Sequence, residues 1–172
     1  MINPNEKYFL ASTRFAEDKP EDYGLKSVDG EEYFLDKNDN RWVAEKMWDK
    51  GWGNENGYVR LPLLTVDELW ELLTKSDIQE NIRGSAEFLE RRFPDELKSK
   101  LTALFSSKGK LDRKLSKRLS NLQGLKSGAN SSGILGKSYD EIKKDAEDWK
   151  NLKDSYESLK TDGIWGKLFG KS

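Results

Sequence analysis

The sequence predicts an α+β protein, in which a small antiparallel sheet is followed by helices and a C-terminal helical hairpin. Turn-forming residues separate short apolar and aromatic segments over the first 64 positions, which is typical of locally paired strands. Beyond Thr65 the apolar residues recur at helical spacing instead. A stretch rich in Gly and Ser at 124–137 then separates two helical segments.

The predicted strands are short apolar segments that end at turn-forming residues: Lys7–Phe15, Leu25–Val28, Tyr33–Leu35, Trp42–Val43 and Gly57–Leu64. The Asp29-Gly30 pair and the run of Lys, Asn and Asp at 37–40 predict hairpin turns, because these residues tolerate the backbone angles of tight turns. The sheet is therefore expected to form from neighbours in sequence.

The predicted helices begin at recognisable capping residues. Thr65 and Glu68 have the spacing of a capping box, in which each side chain bonds the other residue's backbone N–H. Ser76 or Asp77 is expected to begin a second helix, and Pro94 a third. Apolar stripes follow each of these positions, so each helix is expected to bury one face.

The expected domain organisation follows from these elements. Residues 1–106 are predicted to form one α+β domain, and residues 107–162 a helical hairpin with a flexible connector at 124–137. Residues 163–172 are predicted to be a flexible tail. The oligomeric state stays open, because the apolar positions of the last helix also allow two chains to pair.

The absence of cysteine and histidine limits the chemistry available to the chain. Disulfides, thiol chemistry, Ser-His-Asp machinery and zinc sites built on His or Cys are excluded. We therefore expect a protein that is not an enzyme and needs no cofactor or metal. No secretory signal and no apolar run near 18 residues is found, so a cytoplasmic location is expected.

Charge is distributed unevenly along the chain, although the net charge is only −1. Residues 1–97 carry 13 Lys+Arg and 22 Asp+Glu, whereas residues 98–126 carry 9 basic residues and 1 acidic residue. Leucines in the basic segment predict one amphipathic helix over 108–126. Its candidate basic surface comprises Lys110, Arg113, Lys114, Lys117 and Arg118. This surface could bind nucleic acid or an acidic membrane, or could simply face solvent or acidic parts of the chain.

Two further patterns allow chemical interpretations. Carboxylates crowd the sheet region, where two could act as an acid and base, or several could ligate a hard cation: Glu31, Glu32, Asp36, Asp39, Glu45, Asp49 and Glu55. A solvated face or a negative docking surface is the alternative. The stretch SSGILGKS at 131–138 resembles a phosphate-binding loop, but Ser131 replaces the first glycine, and Ser138 is better explained as a helix cap.

The segment from Asp49 to Gly57 is rich in turn formers and carries an aromatic residue among charges, as interaction hot spots do. Trp42 is predicted to lie in the core, while Trp48 and Trp52 could be either buried or exposed. The candidate partner-binding residues are Glu45, Asp49, Trp52, Glu55, Tyr58 and Arg60.

The order of the phrases YFLASTRF, DGEEYFL, EKMWDKGWGNENGYVRLPLLTVDELWELL and NIRGSAEFLERRFPDEL resembles small bacterial immunity proteins of polymorphic toxin systems, over residues 7–104. Such proteins neutralise a cognate toxin in the cytoplasm. The resemblance implies a toxin as partner, possibly a nuclease with a basic cleft, and no small-molecule substrate. It has no counterpart for residues 105–172 and carries over no site residue.

Overall fold

A computed structural model describes residues 2–11, 19–47, 55–129 and 136–161. Five strands form one antiparallel sheet in the order β1-β5-β4-β3-β2: β1 (Phe9–Ala11), β2 (Lys26–Ser27), β3 (Tyr33–Leu35), β4 (Arg41–Met47) and β5 (Glu55–Arg60). The helices are α1 (Val66–Lys75), α2 (Gln79–Arg92), α3 (Pro94–Ser107), α4 (Arg113–Leu119), α5 (Gln123–Ser127) and α6 (Tyr139–Thr161). The predicted α+β class is confirmed. In the described ranges, no helix is long and apolar enough to cross a membrane.

Both predicted hairpin turns are present in the sheet. The Glu31 backbone N–H donates to the Val28 carbonyl at 3.1 Å between β2 and β3, and Gly30 adopts a φ of 78° that favours glycine. Between β3 and β4, Asp39 has a φ of 59°, which Asp tolerates better than most residues. Local turn chemistry therefore accounts for the order of these three strands.

The β4–β5 pair is the longest in the sheet, and its register runs from Trp42↔Arg60 to Met47↔Glu55. Residues 48–54 join the two strands and lie outside the described residues, together with Trp48, Asp49 and Trp52. The first predicted strand is observed as β1, and residues 12–18 of that segment are likewise outside the description.

Each face of the sheet carries buried apolar side chains. On one face Phe9 and Val59 are opposite one another, and a Cβ on Gly84 of α2 would overlap the Phe9 ring. On the other face Trp42 and Tyr58 belong to an aromatic cluster with Leu25. The predicted core position of Trp42 is confirmed, since its exposed fraction is 3%.

A buried polar network attaches the N-terminal segment to α2. Asn81 accepts a hydrogen bond from the Tyr8 backbone at 2.9 Å and donates to the Glu6 carbonyl at 2.7 Å. Ser76 donates to the Pro4 carbonyl at 2.7 Å and accepts from Asn81 at 3.2 Å. Asn81 and Ser76 are fully buried, so these bonds replace the water that their polar atoms have lost.

The chain forms two compact units, residues 1–87 and residues 88–172. In the second unit, α6 runs antiparallel to the α4–α5 segment. The Tyr156 hydroxyl donates to the Ser116 carbonyl at 2.8 Å, and the earlier Trp149 lies against the later Gly124. This is the predicted helical hairpin, whereas the domain boundary at residue 106 stays a prediction.

The basic segment is two helices rather than the single helix predicted over 108–126. Asp112 accepts from the Leu115 backbone at 2.8 Å and begins α4 there, while the Asn121 side chain donates to the Arg118 carbonyl at 2.9 Å beyond its end. The buried Glu90 carboxylate accepts from the Gly124 backbone at 2.6 Å in the first turn of α5. Side-chain bonds to terminal backbone groups thus divide the segment.

We expect Gly84→Ala to lower the free energy of unfolding by about 1–3 kcal/mol, because its new Cβ would overlap the Phe9 ring in a packed core. Urea denaturation monitored by circular dichroism measures the change. Gly109→Ala is the control, since nothing lies within 4 Å of the added atom. Equal stability of the Gly84→Ala variant and the wild type would contradict this packing.

Candidate functional site

The strand register gathers three chain segments toward one end of the sheet. Tyr33, at the start of β3, is opposite Val43, and β4 continues from there to Met47. Ala11 at the end of β1 is opposite Gly57, close to the start of β5. The β2–β3 turn, the end of β4 and the start of β5 therefore lie toward the same end of the sheet. We call this the hairpin end.

The β2–β3 turn brings unpaired negative charge to the hairpin end. Asp29, Glu31 and Glu32 are exposed, and within the described residues their carboxylates form no ion pair. No Lys or Arg lies between positions 29 and 32. β4 extends roughly 13 Å beyond Val43 at about 3.3 Å per residue, so the turn is set back from the last residue of β4.

Two of the sequence-predicted site residues lie away from the hairpin end or inside the sheet. Tyr58 is 5% exposed, and its ring centroid is 5.4 Å from those of Tyr23 and of Phe34, so it supports the fold. Arg60 ends β5 at the opposite end of the sheet, where its guanidinium is 2.9 Å from a Glu6 carboxylate oxygen. This hydrogen bond lowers the pKa of Glu6.

The other predicted residues belong to the hairpin end or to the connection. Glu45 is partly exposed and is opposite Gly57, two residues before β4 ends. Glu55 begins β5 and is opposite Met47. Asp49 and Trp52 fall between the two strands, outside the described residues. The predicted interaction surface stays a prediction.

Asp36 has a structural role rather than a place in a catalytic carboxylate pair. Its carboxylate accepts from the Asn38 backbone at 2.8 Å, from the Asn40 side chain at 2.9 Å and from Trp42 Nε1 at 3.1 Å. Burial raises the pKa of Asp36, but the hydrogen bonds from Asn40, Asn38 and Trp42 outweigh it and leave the pKa lowered. The ionised carboxylate therefore stabilises the β3–β4 turn.

The predicted basic residues are mostly at the surface of the second unit. Lys110, Arg113, Lys114 and Lys117 are exposed, whereas Arg118 is only 9% exposed. The leucines of this segment lie inside the unit, with exposed fractions of 4% or less for Leu111, Leu119, Leu122 and Leu125. The apolar side of the segment is thus used for folding.

The GKS sequence at 136–138 begins a helix. Glu141 donates its backbone N–H to the Ser138 hydroxyl at 3.4 Å, and its carboxylate accepts from the Ser138 backbone at 2.7 Å. The hydrogen bonds from Ser138 lower the pKa of Glu141. Lys137 Nζ is 3.8 Å from an Asp145 carboxylate oxygen. The side chains of Lys137 and Ser138 therefore both have partners in α6. The predicted capping role of Ser138 is confirmed.

An open groove of about 920 Å³ lies between α3 and α6, and sequence reasoning did not anticipate it. Its walls include small polar residues at helical spacing, among them Ser99, Thr102 and Ser155. At one end Lys98 Nζ is 2.7 Å from an Asp145 oxygen and joins the two helices. Across the described ranges, no group of three or more Asp or Glu side chains is arranged to hold a metal ion.

We expect Asp36→Asn to lower the free energy of unfolding at pH 7 by about 1–2 kcal/mol, because hydrogen bonds to a charged acceptor are lost or weakened. The pKa of Asp36 is depressed in the folded protein, so its stabilisation is full above the unfolded pKa near 3.9 and is lost as pH falls through the folded pKa. Urea denaturation between pH 2 and 7 measures the difference. Glu32→Gln is the exposed control, and a difference independent of pH would contradict the role of the charge.

Comparison with protein-family models, with curated proteins and with solved structures finds no match to this chain. Function is therefore inferred from the residues themselves. Two groups of exposed charges bear on that inference, the carboxylates of the hairpin end in the first unit and the cations of the basic segment in the second.

Proposed function

We propose that the chain is a non-enzymatic, protein-binding protein of the immunity type, which neutralises a cognate bacterial toxin by occluding its active site. The observation that supports this proposal is the hairpin end. There the exposed carboxylates of Asp29, Glu31 and Glu32 have no ionic partner in the described residues and share one end of the sheet with the end of β4 and the start of β5. Asp49 and Trp52 lie between these two strands in sequence.

The charge of this surface fits a basic partner. Carboxylates without internal ion pairs keep their field directed outward, which speeds association with a positively charged cleft and disfavours acidic partners. A toxin that acts on nucleic acid has such a cleft, because its substrate carries phosphates. An inhibitor with exposed carboxylates would compete for the same cationic groups.

The strands that lead to the hairpin end are held by buried side chains. Met47, which ends β4, is 1% exposed and Tyr58 of β5 is 5% exposed, and Phe34 meets the Tyr58 ring edge-on at 5.4 Å. A preorganised support lowers the entropy that is lost when a partner binds. Trp52 in the adjoining connection supplies the kind of large aromatic side chain that dominates binding energy in many interfaces.

The proposal predicts that the tagged full-length chain retains one stoichiometric protein from a lysate of its native host, and that this protein arrests growth when it is expressed alone. Co-expression of the wild-type chain should restore growth. A variant with Asp49→Ala, Trp52→Ala and Glu55→Ala should fail to restore it, while its circular dichroism spectrum and melting temperature stay close to wild type. The measurement is colony formation under induced expression.

A second variant tests the contribution of the exposed carboxylates at the hairpin end. It combines Asp29→Asn, Glu31→Gln and Glu32→Gln. We expect the association rate with the retained protein to fall about tenfold at low salt, because long-range attraction is removed. The matched control carries Asp140→Asn, Glu147→Gln and Asp154→Asn at exposed positions of α6. Equal association rates for the two charge variants would contradict the assignment of the hairpin end. Full rescue of growth by the variant changed at Asp49, Trp52 and Glu55 would contradict it as well.

A further inference from the structure

The segment over residues 108–126 in the second unit carries exposed cations that form no salt bridge within the described residues. Five of these side chains are exposed and form no ion pair within the described residues: Lys108, Lys110, Arg113, Lys117 and Lys126. We call them the cationic strip. Elsewhere in the same unit Lys98 pairs with Asp145 at 2.7 Å and Lys160 with Glu157 at 3.2 Å. Lys143 and Lys144 of α6 are likewise exposed without an ion pair in the described residues, but they lie among carboxylates in sequence.

The local sequence explains why the charge stays uncompensated. Asp112 is the only acidic residue among positions 98–126, and its carboxylate accepts a hydrogen bond from the Leu115 backbone as the cap of α4. Arg113 and Lys117 are one helical turn apart, so their side chains lie on the same face. The one carboxylate near the strip in sequence is therefore engaged in capping the helix.

The length of the strip can be estimated from its contacts with α6. The Leu111 backbone lies 3.5 Å from the Leu159 carbonyl, and Gly124 lies against Trp149. These contacts are ten residues apart on α6, or about 15 Å at 1.5 Å per residue. A nucleic-acid duplex carries roughly nine phosphate charges over that distance, so several cations can meet phosphates at once.

The burial of neighbouring side chains distinguishes among anionic partners. Leu119 and Leu122 are fully buried, so the segment has no free apolar face to insert into a lipid surface. Phe105 is the only aromatic residue among positions 98–126 and is 8% exposed, so the segment offers no platform for stacking single-stranded bases. A double-stranded backbone needs neither feature.

We propose that the cationic strip binds the phosphate backbone of double-stranded nucleic acid without reading its sequence. The side chains of the strip contact phosphate oxygens and release condensed counterions, which makes the affinity strongly dependent on salt. This inference does not rest on the proposed immunity function, because it concerns other residues in the other compact unit.

The test is fluorescence anisotropy of a labelled 24-base-pair DNA duplex with the full-length chain between 20 and 200 mM NaCl. If all five cations contact phosphates, the slope of log K against log salt should be about −4.5, at roughly −0.9 per contact. Arg113→Gln with Lys117→Gln should make the slope shallower by about 1.8. The matched control, Lys143→Gln with Lys144→Gln at exposed positions of α6, should leave it unchanged.

Circular dichroism melts establish that each variant is folded. No binding at 20 mM NaCl, or equal effects of the two variant pairs, would overturn the proposal. It would also be overturned if vesicles of phosphatidylserine and phosphatidylcholine bound the chain while the duplex did not, or if polyglutamate competed as well as unlabelled duplex. Tighter binding of a single strand of the same length would exclude the double-stranded partner.

Discussion

The pairing of β4 with β5 is the constraint on which the first unit depends. Six consecutive residue pairs, from Trp42↔Arg60 to Met47↔Glu55, fix which side chains face which side of the sheet. A slip of one residue would exchange the faces of Tyr58 and Val59 and so disrupt both buried layers. Because β1 and β3 pair with these two strands, the same register also decides which turns share the hairpin end.

Charge in the two compact units is organised by different local rules. In the first unit the carboxylate of Asp36 is used within a turn, whereas the carboxylates of Asp29 and Glu32 remain at the surface. In the second unit Asp112 caps a helix and Asp145 binds Lys98, while the cations of the strip form no ion pair within the described residues. A net charge near zero therefore conceals exposed carboxylates in one unit and exposed cations in the other, and each group would attract a partner of the opposite sign.

The features that sequence reasoning predicted correctly are those set by local chemistry. The hairpin turn at Gly30 and the caps at Thr65 and Ser138 each depend on residues fewer than five positions apart. By contrast, the start of α5 depends on a hydrogen bond to Glu90, which lies 34 positions before Gly124. The spacing of apolar residues along the chain cannot reveal a contact between such distant positions. The division of the basic segment was missed because the continuous leucine spacing favoured a single helix.

The positions of the candidate partner-binding residues were predicted only in part, because they also depend on contacts between residues far apart in sequence. Tyr58 lies beside turn-forming residues in sequence, which suggested a surface position, but pairing of β5 with β1 and β4 brings its ring into the core. The position of Asp29 and Glu31 toward the end of the sheet where β4 ends and β5 begins follows from strand order, which was not deduced from spacing. A small-residue pattern on α3 and α6 could have indicated the groove, had the two helices been known to be neighbours.

The most direct test of the central claim is a chemical-shift map of the ¹⁵N-labelled full-length chain with the neutralised toxin. The immunity account predicts shifted or broadened amide signals at Glu31, Glu32 and Met47, at the hairpin end, and unchanged signals at Asn38 and Asn40 at the other end of β3. Perturbation confined to Asn38 and Asn40, or to the cationic strip, would contradict binding through the hairpin end.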